Sequence, residues 1–164
     1  MHKDIKAVLI SEEEIERRCQ ELGQQITEEY KAKNQAPILV AMLKGAVPFL
    51  TKLAKYIELD IEMDFMAVSS YEGTESIGDV RILKDLDRSI KGENILLVED
   101  IVDTGRTLNT VSEMLSNKGA DSVKIVSLLD KPSRRIIPVH VDYIGFEVPN
   151  EFVVGFGLDF NEKY

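Results

Sequence analysis

The chain is short of cysteine, of basic charge and of uninterrupted apolar sequence, and each shortage removes a class of protein. Cys19 is the one cysteine among 164 residues. An internal disulfide is impossible, no Cys/His array offers a zinc site, and a reducing compartment, the cytoplasm, is the expected location. Lys and Arg number 20 against 29 Asp and Glu, a formal charge of −9. That balance argues against nucleic acid or an anionic membrane as the main partner, since both demand clustered positive charge. It leaves room for a small anion, which needs only a local pocket. The longest apolar stretch, residues 38–50, is broken by Lys44, Gly45 and Pro48 and is too short to span a bilayer. Met1-His2-Lys3-Asp4 lacks the apolar centre of a secretion signal, so none is expected. Internal repeats and Gly/Ser linkers are also missing, and the expectation is one domain over residues 1–164.

What is present points to a folded α/β domain. Apolar residues make up 44% and charged residues 30%, enough of the first to build a core. Ser11-Glu12-Glu13-Glu14 has the form of a capping box, and Ile15, Cys19, Leu22, Ile26 and Tyr30 follow at helical spacing, which predicts a helix over 11–33. A short apolar run at 37–43 reads as a strand. Helical spacing resumes through Val47, Leu50, Leu53, Ala54 and Ile57, with Pro48 in the first turn. Leu59, Ile61, Met63 and Phe65 alternate like a strand. Residues 69–79 are polar and carry two glycines, a long loop of the kind that is usually functional, with a returning strand over 80–86. Further strands are expected at 94–98, 123–129, 139–143 and 152–158, with a helix carrying Leu108, Val111 and Leu115 between the first two and ending at Gly119. Apolar strands alternating with helices predict an α/β fold, a mainly parallel central sheet flanked by helices. Ligands then bind beyond the carboxyl ends of the strands, in the loops after Leu43, Val98 and Leu129.

The richest of these loops reads Val98-Glu99-Asp100-Ile101-Val102-Asp103-Thr104-Gly105-Arg106-Thr107-Leu108. A buried strand delivers adjacent carboxylates, a third follows, and Thr-Gly-Arg-Thr opens a helix. The helix start offers unpaired N–H groups and the positive end of the dipole, Gly105 permits close backbone approach, and the Thr104 and Thr107 hydroxyls add donors, so a phosphate monoester fits. Carboxylates repel phosphate. Glu99 and Asp100 suit instead a ribose diol or a hydrated magnesium ion. Cradle and acids together describe a site for ribose 5-phosphate. Three look-alikes fail on spacing. No GxxxxGK[ST] occurs, Gly155-Phe156-Gly157 lacks the third glycine of a dinucleotide fingerprint, and Asp100 and Asp103 are one residue too far apart for an aspartyl-phosphate motif.

This stretch resembles the phosphoribosyl-diphosphate motif of the purine phosphoribosyltransferases, close to the hypoxanthine(-guanine) type. The resemblance extends to Leu43-Lys44-Gly45-Ala46, Ser69-Ser70-Tyr71, Leu128-Leu129-Asp130-Lys131 and the run from Phe152 through Asp159 to Glu162. It implies a type I phosphoribosyltransferase core with a small hood built from about 1–10 and 145–164, and a lid loop at about 69–79. It implies magnesium-dependent transfer of the 5-phosphoribosyl group from phosphoribosyl diphosphate to N9 of hypoxanthine or guanine, with release of pyrophosphate, in a homodimer or homotetramer.

The roles follow residue by residue. Glu99, Asp100, Asp103, Thr104, Gly105, Arg106 and Thr107 would hold ribose 5-phosphate, and Glu99, Asp100 and Asp159 magnesium. Lys44 and Gly45 would cup pyrophosphate, through a cis peptide before the lysine. Asp103 would accept the purine N7 proton. Lys131, a donor-only ammonium, suits the O6 carbonyl of a 6-oxopurine and repels the amino group of adenine. Phe152 would stack on the base, the Val153 backbone would read its edge, and Asp159 would stand beside it. Ser70 and Tyr71 would close over the reacting groups and exclude water. Family members usually continue past the Asp-Phe-Asn-Glu-Lys-Tyr stretch with an arginine that helps hold pyrophosphate and a strand that completes the hood. His2 and His140 read as structural or exposed. Arg134 and Arg135 read as solvated turn charges, with one of them able to help hold pyrophosphate. Two other readings stay open: a xanthine-preferring relative, and an RNA-binding regulator on the same fold, which would need a basic face.

Overall fold

A computed structural model describes residues 9–70, 80–149 and Phe156. The first helix, α1 (Glu12–Ala32), starts at Ser11, whose hydroxyl accepts from the Glu14 N–H while the Glu14 carboxylate accepts from the Ser11 N–H. Both halves of the expected capping box are therefore made. Cys19, Leu22, Ile26 and Tyr30 are buried along one side. Burial pushes the Cys19 thiol up to about 11. Ser11→Ala removes one half of the box and should lower stability by about 1 kcal/mol, read as a lower urea midpoint at unchanged slope. An unchanged midpoint would mean that packing alone holds the first turn.

Six strands form one sheet: β1 (Ile38–Met42), β2 (Glu62–Ser70), β3 (Val80–Lys84), β4 (Asn94–Val102), β5 (Ser122–Asp130) and β6 (Tyr143–Glu147), in the order β3-β2-β1-β4-β5-β6. All neighbours are parallel except β2 and β3, which run antiparallel as expected of a returning strand. The period-2 alternation of strand side chains divides the interior into two cores. Leu39, Ala41, Leu96 and Val98 meet α1 and α2 (Val47–Ala54) on one face. Ile38, Val40, Ile95 and Leu97 meet Leu108, Val111 and Leu115 of α3 (Arg106–Asn117) on the other. A sheet covered on both faces explains why β1 is buried at every position.

Several boundaries differ from the sequence expectation. β2 starts at Glu62 rather than 59, because its ladder with β1 begins at Ile38↔Glu62; Leu59 and Ile61 pack on the core from the preceding turn. Ser69 and Ser70 are the last residues of β2 rather than loop. α2 ends at Ala54, short of Ile57. β4 runs four residues past Val98, since Ile101 and Val102 stay paired with Leu129 and Asp130. β6 occupies 143–147 rather than 139–143. Val139 and Val141 fill the α3-side core without joining the ladder. The strand expected at 152–158, most of the hood and lid residues 71–79 lie outside the described residues. Among the described residues no helix is long and apolar enough to cross a membrane.

Candidate active site

The order β3-β2-β1-β4-β5-β6 decides where a ligand can enter. From β1 the chain moves through α2 to β2 on one side. From β4 it moves through α3 to β5 on the other. The direction of winding reverses between β1 and β4, and in a parallel sheet the loops separate there and leave a crevice beyond the strand ends. The loops that follow β1, β4 and β5 leave the same edge of the sheet, since these three strands are mutually parallel neighbours.

In the first loop the peptide bond between Leu43 and Lys44 is cis, as the resemblance implies. The loop is anchored on both sides: the Leu43 N–H donates to Met66 O at 2.7 Å, and the Val47 N–H to Lys44 O at 3.2 Å. Between these anchors the N–H groups of Lys44 and Gly45 make no hydrogen bond among the described residues, and Lys44 is exposed. Two open backbone donors beside an ammonium suit an anion.

The second loop begins within β4. Glu99 and Asp100 belong to the strand, half-buried, so the sheet fixes their positions. Burial, and then the negative charge of Asp100, push the Glu99 carboxyl well above the usual range. Burial also raises Asp100. Asp103 is exposed at the turn, where one carboxylate oxygen accepts the Thr104 N–H at 2.7 Å. The Thr104 hydroxyl accepts from the Arg106 N–H at 3.4 Å. Gly105 caps α3 with φ of 82°, in the left-handed region, and has no side chain to cover the start of the helix. Arg106 and Thr107 form its first turn. The residues expected to cradle a phosphate thus stand at the positive end of the α3 dipole.

The third loop carries Lys131, directly after β5. Its N–H donates to Val102 O at 2.8 Å, and the N–H groups of Ile136 and Ile137 both donate to Thr104 O, at 2.9 and 3.0 Å. The segment bearing Lys131 is therefore fastened along the Thr104–Gly105 turn. Lys44, Gly45, Glu99, Asp100, Asp103, Thr104, Gly105, Arg106, Thr107 and Lys131 all fall on these three loops at one sheet edge. Ser70 ends β2. Tyr71, Phe152, Val153 and Asp159 lie outside the described residues.

One reading from the sequence needs correction. Arg134 is exposed as expected, but Arg135 is no solvated turn charge. Its Nη2 pairs with Asp130, whose side chain is 6% exposed, and its Nη1 is buried with no partner among the described residues. No motif or period marks Arg135, and Asp130 enters only within Leu128-Leu129-Asp130-Lys131, with no role of its own. The available signal was an acid closing a buried strand with an arginine five residues on.

Three comparisons with known proteins bear on this arrangement. Residues 9–161 match the model of the phosphoribosyl transferase domain. A hypoxanthine-guanine phosphoribosyltransferase of Streptococcus thermophilus is 53% identical over all of this chain and 91% of its own length. One from Lactococcus lactis is also 53% identical, over all of this chain and 88% of its own. The crystal structure of a hypoxanthine phosphoribosyltransferase from Staphylococcus aureus superposes with a TM-score of 0.94 at 44% identity, covering 100% of this chain and 89% of that one. A mainly parallel sheet matched over this span defines the class, and the chain belongs to the phosphoribosyl transferase family. Within that family it groups with the hypoxanthine-guanine phosphoribosyltransferases.

Proposed function

We propose that this transferase serves purine salvage by moving the 5-phosphoribosyl group of phosphoribosyl diphosphate to N9 of hypoxanthine or guanine, releasing pyrophosphate. The observation that carries the reading is the glycine-started helix α3 standing directly after two carboxylates fixed in β4. The α3 amides with Thr104 and Thr107 take the 5′-phosphate, and Glu99 and Asp100 accept hydrogen bonds from the ribose diol. Lys44 and Gly45 hold the departing pyrophosphate, Asp103 takes the N7 proton, and Lys131 donates to O6. Phe152, Val153 and Asp159 complete the base pocket, and Ser70 with Tyr71 closes it. The anomeric carbon gains cationic character as the diphosphate leaves. Stabilising that anion and excluding water are the two demands on the protein.

Magnesium fits the donor set. Among the described residues no three Asp, Glu, His or Cys converge, but magnesium takes only one or two carboxylates and fills its shell with water and phosphate oxygens. Glu99 and Asp100, adjacent and half-buried, are such a pair, with Asp159 as a third candidate. When bound, the ion neutralises diphosphate charge, which an acidic protein needs. We also read the enzyme as a cytoplasmic homodimer or homotetramer that binds neither nucleic acid nor membrane. Exposed Met63, Ile82 and Leu83 on the outer strands β2 and β3 support a subunit contact there.

One assay tests the whole reading. The chain is incubated with phosphoribosyl diphosphate, magnesium and each of hypoxanthine, guanine, xanthine, adenine and uracil, and nucleotide is measured. Hypoxanthine and guanine should be converted, adenine at least about 100-fold less well, because an ammonium facing an amino group leaves a buried donor unpaired. Adenine as good as hypoxanthine would remove Lys131 from the base pocket. Binding of the diphosphate should fall sharply in excess chelator, and tight binding there would contradict the role given to the acids.

A further inference from the structure

The Asp130–Arg135 ion pair is the most buried among the described residues, with side-chain exposures of 6% and 17%. No role in the site proposed above falls on it. Burying two charges is weak support for stability, because desolvation offsets most of the attraction. A guanidinium with Nη1 left buried and unpaired is poorer still on that score. Its placement is more informative. Asp130 is the last residue of β5, immediately before Lys131, and its backbone carbonyl accepts the Val148 N–H at 2.9 Å. The Arg135 stem lies against the cradle glycine: a Cβ built on Gly105 would meet Arg135 Cδ at 3.1 Å. The next two residues after Arg135 place both their N–H groups on Thr104 O. One end of the pair is thus rooted in the strand that presents Lys131. The other is pressed on the turn that presents the phosphate donors.

We infer that the Asp130–Arg135 pair is a positioning device that holds the phosphate cradle at a set distance from the purine-reading Lys131. The inference rests on the site assignment proposed above. Two substrates must meet with their reacting atoms in near-attack contact, and a displacement of about 1 Å can cost on the order of 100-fold in rate. Arg135 touches neither substrate in this account. It acts through Gly105, Thr104 and the backbone that follows.

The test separates positioning from plain stability. Arg135→Met keeps most of the stem and leaves Asp130 unpaired. It should lower both Tm and kcat/KM, the latter by about 30-fold or more. Asp130→Asn with Arg135→Met removes both buried charges and should bring Tm back near wild type, while kcat/KM stays depressed by at least about tenfold. Recovery of kcat/KM together with Tm would make the pair merely structural and overturn the proposal, as would wild-type kcat/KM in the single variant. Should either fail to fold, Arg135→Lys keeps a charge beside Asp130 but loses the planar fork. It must then lose kcat/KM at wild-type Tm, and full activity overturns the idea. Gly105→Ala is measured alongside: if that variant too is fully active, the site assignment has failed rather than the brace.

Discussion

Asp103→Asn is expected to lower kcat by about 100-fold or more while KM for either substrate moves only a few-fold, the pattern of a lost transition-state proton acceptor. The structure makes this substitution unusually clean. One Asp103 oxygen accepts the Thr104 N–H, a bond that the asparagine carbonyl can replace. The other oxygen makes no hydrogen bond among the described residues, and the side chain is exposed at the mouth of the cradle. What asparagine cannot do is take a proton. Steady-state kinetics at saturating diphosphate with hypoxanthine as the varied base checks the split. Unchanged kcat would take Asp103 out of proton transfer and leave it a turn residue.

Gly105→Ala is expected to damage both the fold and diphosphate binding. Its φ of 82° costs a residue with a Cβ about 1–2 kcal/mol by itself. The added carbon would also lie 2.5 Å from the Ile137 carbonyl oxygen, a backbone atom that has no rotamer to escape into. The cradle or the Lys131 segment must move apart. We expect KM for the diphosphate to rise at least about tenfold and stability to fall by on the order of 2 kcal/mol or more. Gly92 supplies the control. It has a φ of 77° but no atom within 4 Å of a built Cβ, so Gly92→Ala should cost only the conformational part. Equal losses in the two variants would mean that the contact with Ile137 is irrelevant.

The parts of the fold that were legible in the sequence are those governed by local rules. The Ser11–Glu14 box and the spacing from Ile15 to Tyr30 define α1 to within a residue, because capping and amphipathicity are written in neighbouring positions. The order of strands and helices came from apolar runs. The ends of the strands did not, because ladders decide them. Glu99 and Asp100 look like loop residues in one dimension, yet Leu129 and Asp130 on the neighbouring strand keep the chain around them extended. The same limit hid Arg135. A charge five residues after Asp130 reads as solvated until the turn over 132–134 folds it back beneath Gly105. The strand–glycine–helix turn proposed as the cradle was legible because glycine, threonine and acid at fixed spacing after a buried strand leave few alternatives.

The two cores have a consequence for how the substrate is shared out. The loop proposed for pyrophosphate leads into α2, packed with α1 on one face of the sheet. The cradle proposed for ribose 5-phosphate leads into α3, packed on the opposite face. On the proposed assignment, the bond broken in the reaction straddles a seam between two crossover units that are anchored in separate hydrophobic clusters. Loosening Phe49 or Leu53 disturbs the anchorage of the leaving half, and loosening Val111 or Leu115 that of the retained half.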